Sequence, residues 1–123
     1  MENNCYFCTI AVSQLPNNYL FTAMFNHIVL FKLKDFQNDQ LKAETRDQIK
    51  NALLGLKEKI AGLKYIEVGN NFELNAASFD LSLVTRFDSY DEFLVYRDHP
   101  EHQKVVGLVR ANTVDRAVVD YVD

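Results

Sequence analysis

The sequence of 123 residues predicts a single α+β domain in which strands and helices alternate. Several segments carry β-forming residues at alternate positions, and two longer regions place apolar residues at helical spacing. Capping residues, glycine and proline separate these segments. With 48% hydrophobic and 24% charged residues, the chain has the composition of an ordinary folded domain. A domain of this length can bury a core without disulfides or metals.

The first predicted strand comprises residues 25 to 33. Ile28 and Leu30 lie on one of its faces, and both faces are apolar, so both should be covered. The other face consists of Phe25, His27, Val29, Phe31 and Leu33.

A long helix should follow, with Asn38 or Asp39 as its N-cap and Gly62 at its end. Gly55 lies in the helix interior and lowers its stability by roughly 1 kcal/mol relative to alanine. The apolar stripe of this helix consists of Leu41, Ile49, Leu53, Leu56 and Ile60.

Two further strands are predicted at residues 63–68 and 79–87, with the turn Gly69-Asn70-Asn71 closing the first of them. One face of the later strand is apolar, whereas the other is mixed and contains Asp80 and Arg86. A mixed face suits a wet or interfacial surface better than a dry core.

The last third of the chain predicts two helices and a final strand. Ser89 and Glu92 form a capping-box pattern at the start of the first helix. Pro100 cannot continue that helix but is well placed in the first turn of the next one. A strand from about Val114 to Val122 completes the order β-α-β-β-α-β. This is the ferredoxin-like arrangement, a four-stranded antiparallel sheet with helices on one face.

The face of the sheet that the helices leave open carries Ile28 and Leu30. An apolar face of this kind is typical of an interface. We therefore expect a homodimer in which two sheets pack face to face about a twofold axis. Arg86 and Asp80 could pair across that interface.

The chemically densest stretch is residues 96–102, Tyr-Arg-Asp-His-Pro-Glu-His. An imidazole with a pKa of about 6.5 can accept a proton near neutral pH, so His102 is a candidate general base. Tyr96 could donate a proton to a developing oxyanion. The structural alternative is that Tyr96 bonds to His102 and braces the corner between the two helices.

A cavity between helices and sheet is the expected site, because His27 shares a strand face with Val29 and Phe31. We count these three residues and His99 as candidate ligand-binding residues. A divalent metal held by His99 and His102, with Glu101 between them in sequence, is an alternative. Pro100 interrupts that set and no third ligand is close in sequence, so we expect neither a metal nor a cofactor.

Charge and composition exclude several classes of function. The net charge is −4 and basic residues are scattered, which argues against nucleic-acid binding. No apolar run is long enough to span a membrane, and the start lacks the positive charge of a signal peptide. Cys5 and Cys8 form a CxxC pair that could be a redox or zinc motif, but two small apolar residues are the favoured interpretation. A cytoplasmic location is expected.

Met24 precedes the first strongly patterned segment. We therefore divide the chain into an N-terminal extension, residues 1–23, and a domain, residues 24–123. A short added strand could lie between Cys5 and Val12, where β-forming residues are frequent.

Three segments resemble a known family: HIVLFKLKD at residues 27–35, DLSLVTRF at 80–87 and YRDHPEHQKVV at 96–106. In the same order, they are similar to the stress-responsive α/β-barrel, or Dabb, domain over roughly residues 24–123. The resemblance implies a dimeric α+β barrel, with two four-stranded sheets forming the barrel and the helices outside. The family includes plant stress proteins, antifungal proteins and a plant polyketide cyclase.

In that cyclase, a tyrosine and the second histidine of a His-Pro-x-His motif act as an acid/base pair, and Tyr96 and His102 occupy these positions. The strand histidine matches His27, whereas a further pocket tyrosine is missing near Ile49. We therefore expect a homodimeric protein that binds a small molecule in an apolar pocket between helices and sheet. The alternatives are a cofactor-independent cyclase, lyase or isomerase acting on a carbonyl compound, and a purely structural stress protein.

Overall fold

The computed structural model describes residues 23–73, 75 and 77–123. The predicted strand between Cys5 and Val12 and the CxxC pair lie outside the described residues. The elements in chain order are β1 (Phe25–Leu33), α1 (Asp39–Leu54), α2 (Leu56–Lys59), β2 (Tyr65–Asn70), β3 (Leu81–Phe87), α3 (Tyr90–Asp98), α4 (Pro100–Asn112) and β4 (Thr113–Val122).

The four strands form one antiparallel sheet in the order β2-β3-β1-β4. β1 lies inside the sheet and pairs with β3 on one side and β4 on the other. The first and last strands of the domain are therefore neighbours, and β4 forms an edge. This topology confirms the predicted ferredoxin-like fold.

The core lies between the helices and one face of the sheet. Its sheet side includes Val29, Phe31 and Leu83, and its helix side includes Ile49 and Leu53. Leu41, which was predicted to belong to the helical stripe, is 40% exposed. At about 100° per residue, Leu41 lies about 80° around the helix from Ile49, so it sits at the edge of the packed surface.

The predicted long helix is interrupted once. α1 ends at Leu54 and α2 begins at Leu56, with Gly55 between them in a right-handed helical conformation (φ −63°, ψ −18°). Its N–H donates to the carbonyl of Asn51 at 3.0 Å, which keeps the two helices nearly continuous.

The prediction of a mixed face on β3 is wrong at one position, Asp80. Asp80 precedes the strand, and its buried carboxylate accepts from the backbone N–H of Leu33 at 2.7 Å and lies 3.2 Å from Lys42 Nζ. Arg86 instead donates to Asn26 Oδ1 at 2.9 Å and to Asp123 Oδ2 at 2.8 Å. The two charged residues therefore do not share a surface.

The face of the sheet opposite the core carries apolar side chains that remain accessible. Leu30 is 37% exposed and Val119 is 60% exposed, while Ile28 and Val84 are half-buried. Cross-strand pairing places Ile28 between Val84 and Val119, so the apolar strip runs across β3, β1 and β4. Among the helices that the structure describes, none is long and apolar enough to cross a membrane.

Candidate functional site

A cavity of about 390 Å³ lies beside the edge strand β4, under helices α3 and α4. Four of the six candidate site residues line it: His27, Val29, Phe31 and His102. The full lining comprises His27, Val29, Phe31, Leu53, Leu83, Tyr90, Phe93, Arg97, His102, Val105, Val106, Val109, Arg110, Thr113, Arg116, Val118 and Asp120.

His102 enters the cavity from the first turn of α4, which Pro100 begins. Its Nδ1 lies 2.9 Å from the carbonyl oxygen of Arg97. A carbonyl can only accept, so in the neutral ring Nδ1 carries the hydrogen and Nε2 keeps its lone pair. Burial lowers the pKa of His102, although the bond to the Arg97 carbonyl partly opposes this effect. At neutral pH the ring is therefore uncharged and Nε2 can accept a proton.

His27 is held by a carboxylate on the neighbouring strand. The β1–β4 register places His27 opposite Asp120, and Nδ1 lies 2.5 Å from Asp120 Oδ1. The carboxylate orients the imidazole, whose ring also packs 4.7 Å from the ring of Phe93. His27 is also close enough that its charge contributes to lowering the pKa of His102. One cavity thus contains two imidazoles, and a backbone carbonyl or a carboxylate orients each of them.

Tyr96 contacts His102 by ring packing rather than by a hydrogen bond. The ring centroids are 4.2 Å apart, and Tyr96 also packs against Phe87 at 5.0 Å. The side chain is fully buried, and its hydroxyl has no hydrogen-bond partner among the described residues. Burial raises the pKa of this hydroxyl. Tyr96 does not line the cavity, so its role as a proton donor stays a prediction and requires a ligand oxygen that reaches the buried hydroxyl.

His99 caps a helix instead of facing the cavity. Its Nδ1 accepts from the backbone N–H of Glu101 at 3.1 Å, which satisfies one of the free donors at the start of α4. The geometry therefore does not support the ligand-binding role predicted for His99. Among the described residues, no group of three or more His, Cys, Asp or Glu side chains could hold a metal ion.

Several polar residues of the cavity were not predicted from the sequence. Asp120 lies 93 residues from His27 along the chain, so only the pairing of β1 with β4 brings them together. Arg110 and Arg116 line the cavity from α4 and β4, and Arg97 lines it from α3. Strand alternation in β4 could have placed Arg116 and Asp120 on one face, but it could not have shown what that face contacts.

The family of this chain is identified by a family model that matches almost all of the described domain. A family model described as "Stress responsive A/B Barrel Domain" matches residues 25–123. The chain belongs to the stress responsive A/B barrel domain family. This membership confirms the resemblance of the three sequence segments. A comparison with curated proteins finds no match.

Solved structures with the same fold include other stress responsive barrel and ferredoxin-like proteins. A dimeric protein of unknown function from Bacteroides fragilis is 35% identical, with a TM-score of 0.72 over 80% of this chain and 94% of that chain. A dimeric ferredoxin-like protein of unknown function from Thermobifida fusca is 28% identical, with a TM-score of 0.70 over 88% of this chain and 98% of that one. The hydroxynitrile lyase from Passiflora edulis is 18% identical, with a TM-score of 0.70 over 81% and 93% of the two chains, a likeness of fold alone.

Proposed function

We propose that this protein is a homodimer that binds a small molecule, with an apolar body and a polar oxygen group, in the cavity between helices and sheet. The observation that carries the proposal is the cavity of about 390 Å³, in which His102 offers an unprotonated Nε2 between apolar walls. Sites for small molecules usually measure about 300 to 1,000 Å³ and combine apolar walls with a few polar groups. Val29, Phe31 and Val106 supply such walls.

The apolar strip on the open face of the sheet supports the homodimer. Ile28 lies at its centre and Val119 on the edge strand beside it, on the face opposite the cavity. The relatives from Bacteroides fragilis and Thermobifida fusca are dimeric. Pairing of two such faces would cover the strip and leave each cavity on the outer, helical side of the dimer.

Filling the cavity tests the binding proposal. We expect Val106→Phe to abolish binding of a panel of small aromatic and aliphatic carbonyl compounds, because the added ring occupies the space of the ligand. Val95→Phe is the matched control, since Val95 is 57% exposed and does not line the cavity. Binding is followed by calorimetry or by NMR shifts, after circular dichroism has shown that both variants fold. If Val106→Phe bound the panel as well as wild type does, the proposal would be wrong.

A second candidate is a cofactor-independent lyase, cyclase or isomerase that moves a proton at a carbonyl compound. The observation that favours it is the neutral state of His102, because an imidazole with a lowered pKa remains a base below pH 6.5. His102 Nε2 would take a proton from the carbon next to the carbonyl, and the carbonyl oxygen would gain a proton from Tyr96. A hydroxynitrile lyase shares the fold, but fold does not determine function.

Turnover of a polyketone panel tests this second candidate. We expect His102→Gln to lower turnover by roughly 10² to 10⁴. His99→Asn is the matched control, since asparagine also caps a helix. The dependence of turnover on pH is a second measurement. Because the pKa of His102 is lowered, wild-type turnover should persist below pH 6.5 and fall only as the ring becomes protonated. Unchanged turnover in His102→Gln would exclude the role of His102 as base. A dimer with neither binding nor turnover would favour a purely structural stress protein.

A further inference from the structure

The strand register gives the cavity two chemically different ends. At one end, His27 of β1 is paired with Asp120 of β4, and His102 lies above them. At the other end, Phe31 of β1 is paired with Arg116, and Arg110 approaches from the last turn of α4.

Between these ends the walls are apolar. Val29 is paired with Val118 in the sheet, and Val105, Val106 and Val109 cover them from α4. A ligand that spans the cavity therefore meets apolar side chains along this middle part.

Strand geometry and helix geometry give nearly the same distance between the two ends of the cavity. His27 and Phe31 are four positions apart on β1, which at about 3.3 Å per residue is about 13 Å. His102 and Arg110 are eight positions apart on α4, which at about 1.5 Å per residue is about 12 Å. Both estimates thus place the histidines and the arginines about 12 to 13 Å apart along the elements that line the cavity, which we call its histidine end and its arginine end.

The two arginines at the far end are available for a ligand. Arg97 is held by Asp98 at 2.9 Å, and Arg46 and Arg86 also have carboxylate partners. Within the part of the chain that the structure describes, no carboxylate lies within ion-pair distance of Arg110 or Arg116. Both side chains are exposed, so they are not held in the core.

Two negative groups at this end oppose an anion: the partial charge of about half a unit at the C-terminus of α4, and the carboxylate of Asp115, whose Oδ1 accepts from the backbone N–H of Arg116 at 2.8 Å. Lys34 Nζ donates to the Ala111 carbonyl at 3.1 Å and satisfies part of that helix end. The two full positive charges of Arg110 and Arg116 exceed the charge of one carboxylate and one partial helix charge. The balance of charges at the arginine end therefore favours an anion.

We propose that the ligand is an elongated monocarboxylate, whose carboxylate binds Arg110 and Arg116 while its opposite, carbonyl-bearing end lies at His102. Guanidinium groups match the planar geometry of a carboxylate and can donate two parallel hydrogen bonds to it. The apolar middle of the cavity covers the chain or ring between the two groups. This assignment rests on the proposed function and specifies its ligand class.

The test compares octanoate with octanol, a neutral probe of the same chain length, by calorimetry on the full chain. We expect the double variant Arg110→Gln/Arg116→Gln to bind octanoate roughly tenfold more weakly, the loss expected for a partly screened charged contact. Octanol affinity should not change. Lys57→Gln is the matched control, because it removes one exposed positive charge outside the cavity. Added salt should weaken octanoate binding to wild type and leave octanol binding unaltered.

The outcomes separate the ligand class from the site. Octanoate binding that is equal in wild type and the double variant, with octanol binding retained, would overturn the carboxylate assignment and leave the cavity as a neutral-ligand site. Failure of wild type to bind either probe would overturn both proposals. Octanoate binding that depends on the two arginines and is blocked by Val106→Phe would support both.

Discussion

The ring and the hydroxyl of Tyr96 are both buried, but they differ in what they contact. Its ring packs against His102 and Phe87 in the core, which holds the imidazole in place. Its hydroxyl is buried without a partner among the described residues. An unpaired buried hydroxyl destabilises a folded protein by about 1 to 3 kcal/mol, so such a group usually serves a purpose beyond packing.

Replacing Tyr96 by phenylalanine separates the effect of the hydroxyl from that of the ring. We expect Tyr96→Phe to raise the free energy of unfolding by about 1 kcal/mol, because it removes the unpaired hydroxyl and keeps the ring. If Tyr96 is also a proton donor, turnover of a carbonyl substrate should fall in the same variant. Urea unfolding measures the first effect, with Tyr90→Phe as a control at a ring that is 54% exposed. A clear loss of stability would show that the hydroxyl makes a stabilising bond.

At the scale of elements, two glycines differ in what their neighbours require. A Cβ added at Gly62 would collide with Glu92 Oε2, because the carboxylate of this α3 residue lies against the glycine. Gly62 follows α2 and has no positive φ. The close approach of Glu92 therefore explains why this residue is glycine better than a left-handed helix end does. Gly107 lies inside α4, and an added Cβ there would meet no atom within 4 Å.

Alanine at the two glycines should therefore have opposite effects. Gly107→Ala should raise the free energy of unfolding by about 0.5 to 1 kcal/mol, because alanine is the better helix former. Gly62→Ala should lower it by about 1 kcal/mol, since Glu92 must move away. Thermal or urea unfolding measures both. Adding Glu92→Ala to the Gly62→Ala variant should restore most of the lost free energy of unfolding. If it did not, the destabilisation would not come from the contact with Glu92.

At the scale of the whole molecule, we expect the open face of the sheet to form the interface between two copies of the chain. Val119 is 60% exposed in this apolar strip, so a change there should leave the fold of one protomer intact. We expect Val119→Lys to shift a wild-type dimer towards monomer, because two lysines would face each other across a twofold axis. Light scattering at micromolar concentration measures the mass. Val95→Lys on α3 should stay dimeric, and a monomeric wild type would refute the proposed interface.

The sequence by itself determined the elements and much of the topology, because alternation, helical spacing and capping are local signals. The prediction for β1 matches its observed ends, and Ser89 caps α3 by accepting from Glu92 N–H at 3.2 Å, as predicted. β2 was predicted too early: Gly69 pairs with Ser82 within the strand, and the turn comes later. A local turn signal such as Gly69-Asn70-Asn71 cannot reveal that a neighbouring strand continues beside these residues.

Only the tertiary structure decided which of the candidate residues line the cavity. His27 and His102 belong to the cavity, whereas His99 satisfies a helix end and the hydroxyl of Tyr96 is buried beside the site. Asp120 and Arg116 join the cavity because β4 pairs with β1, a contact between residues about ninety positions apart. Chemistry of this kind depends on register and burial, which arise only when distant segments pack together.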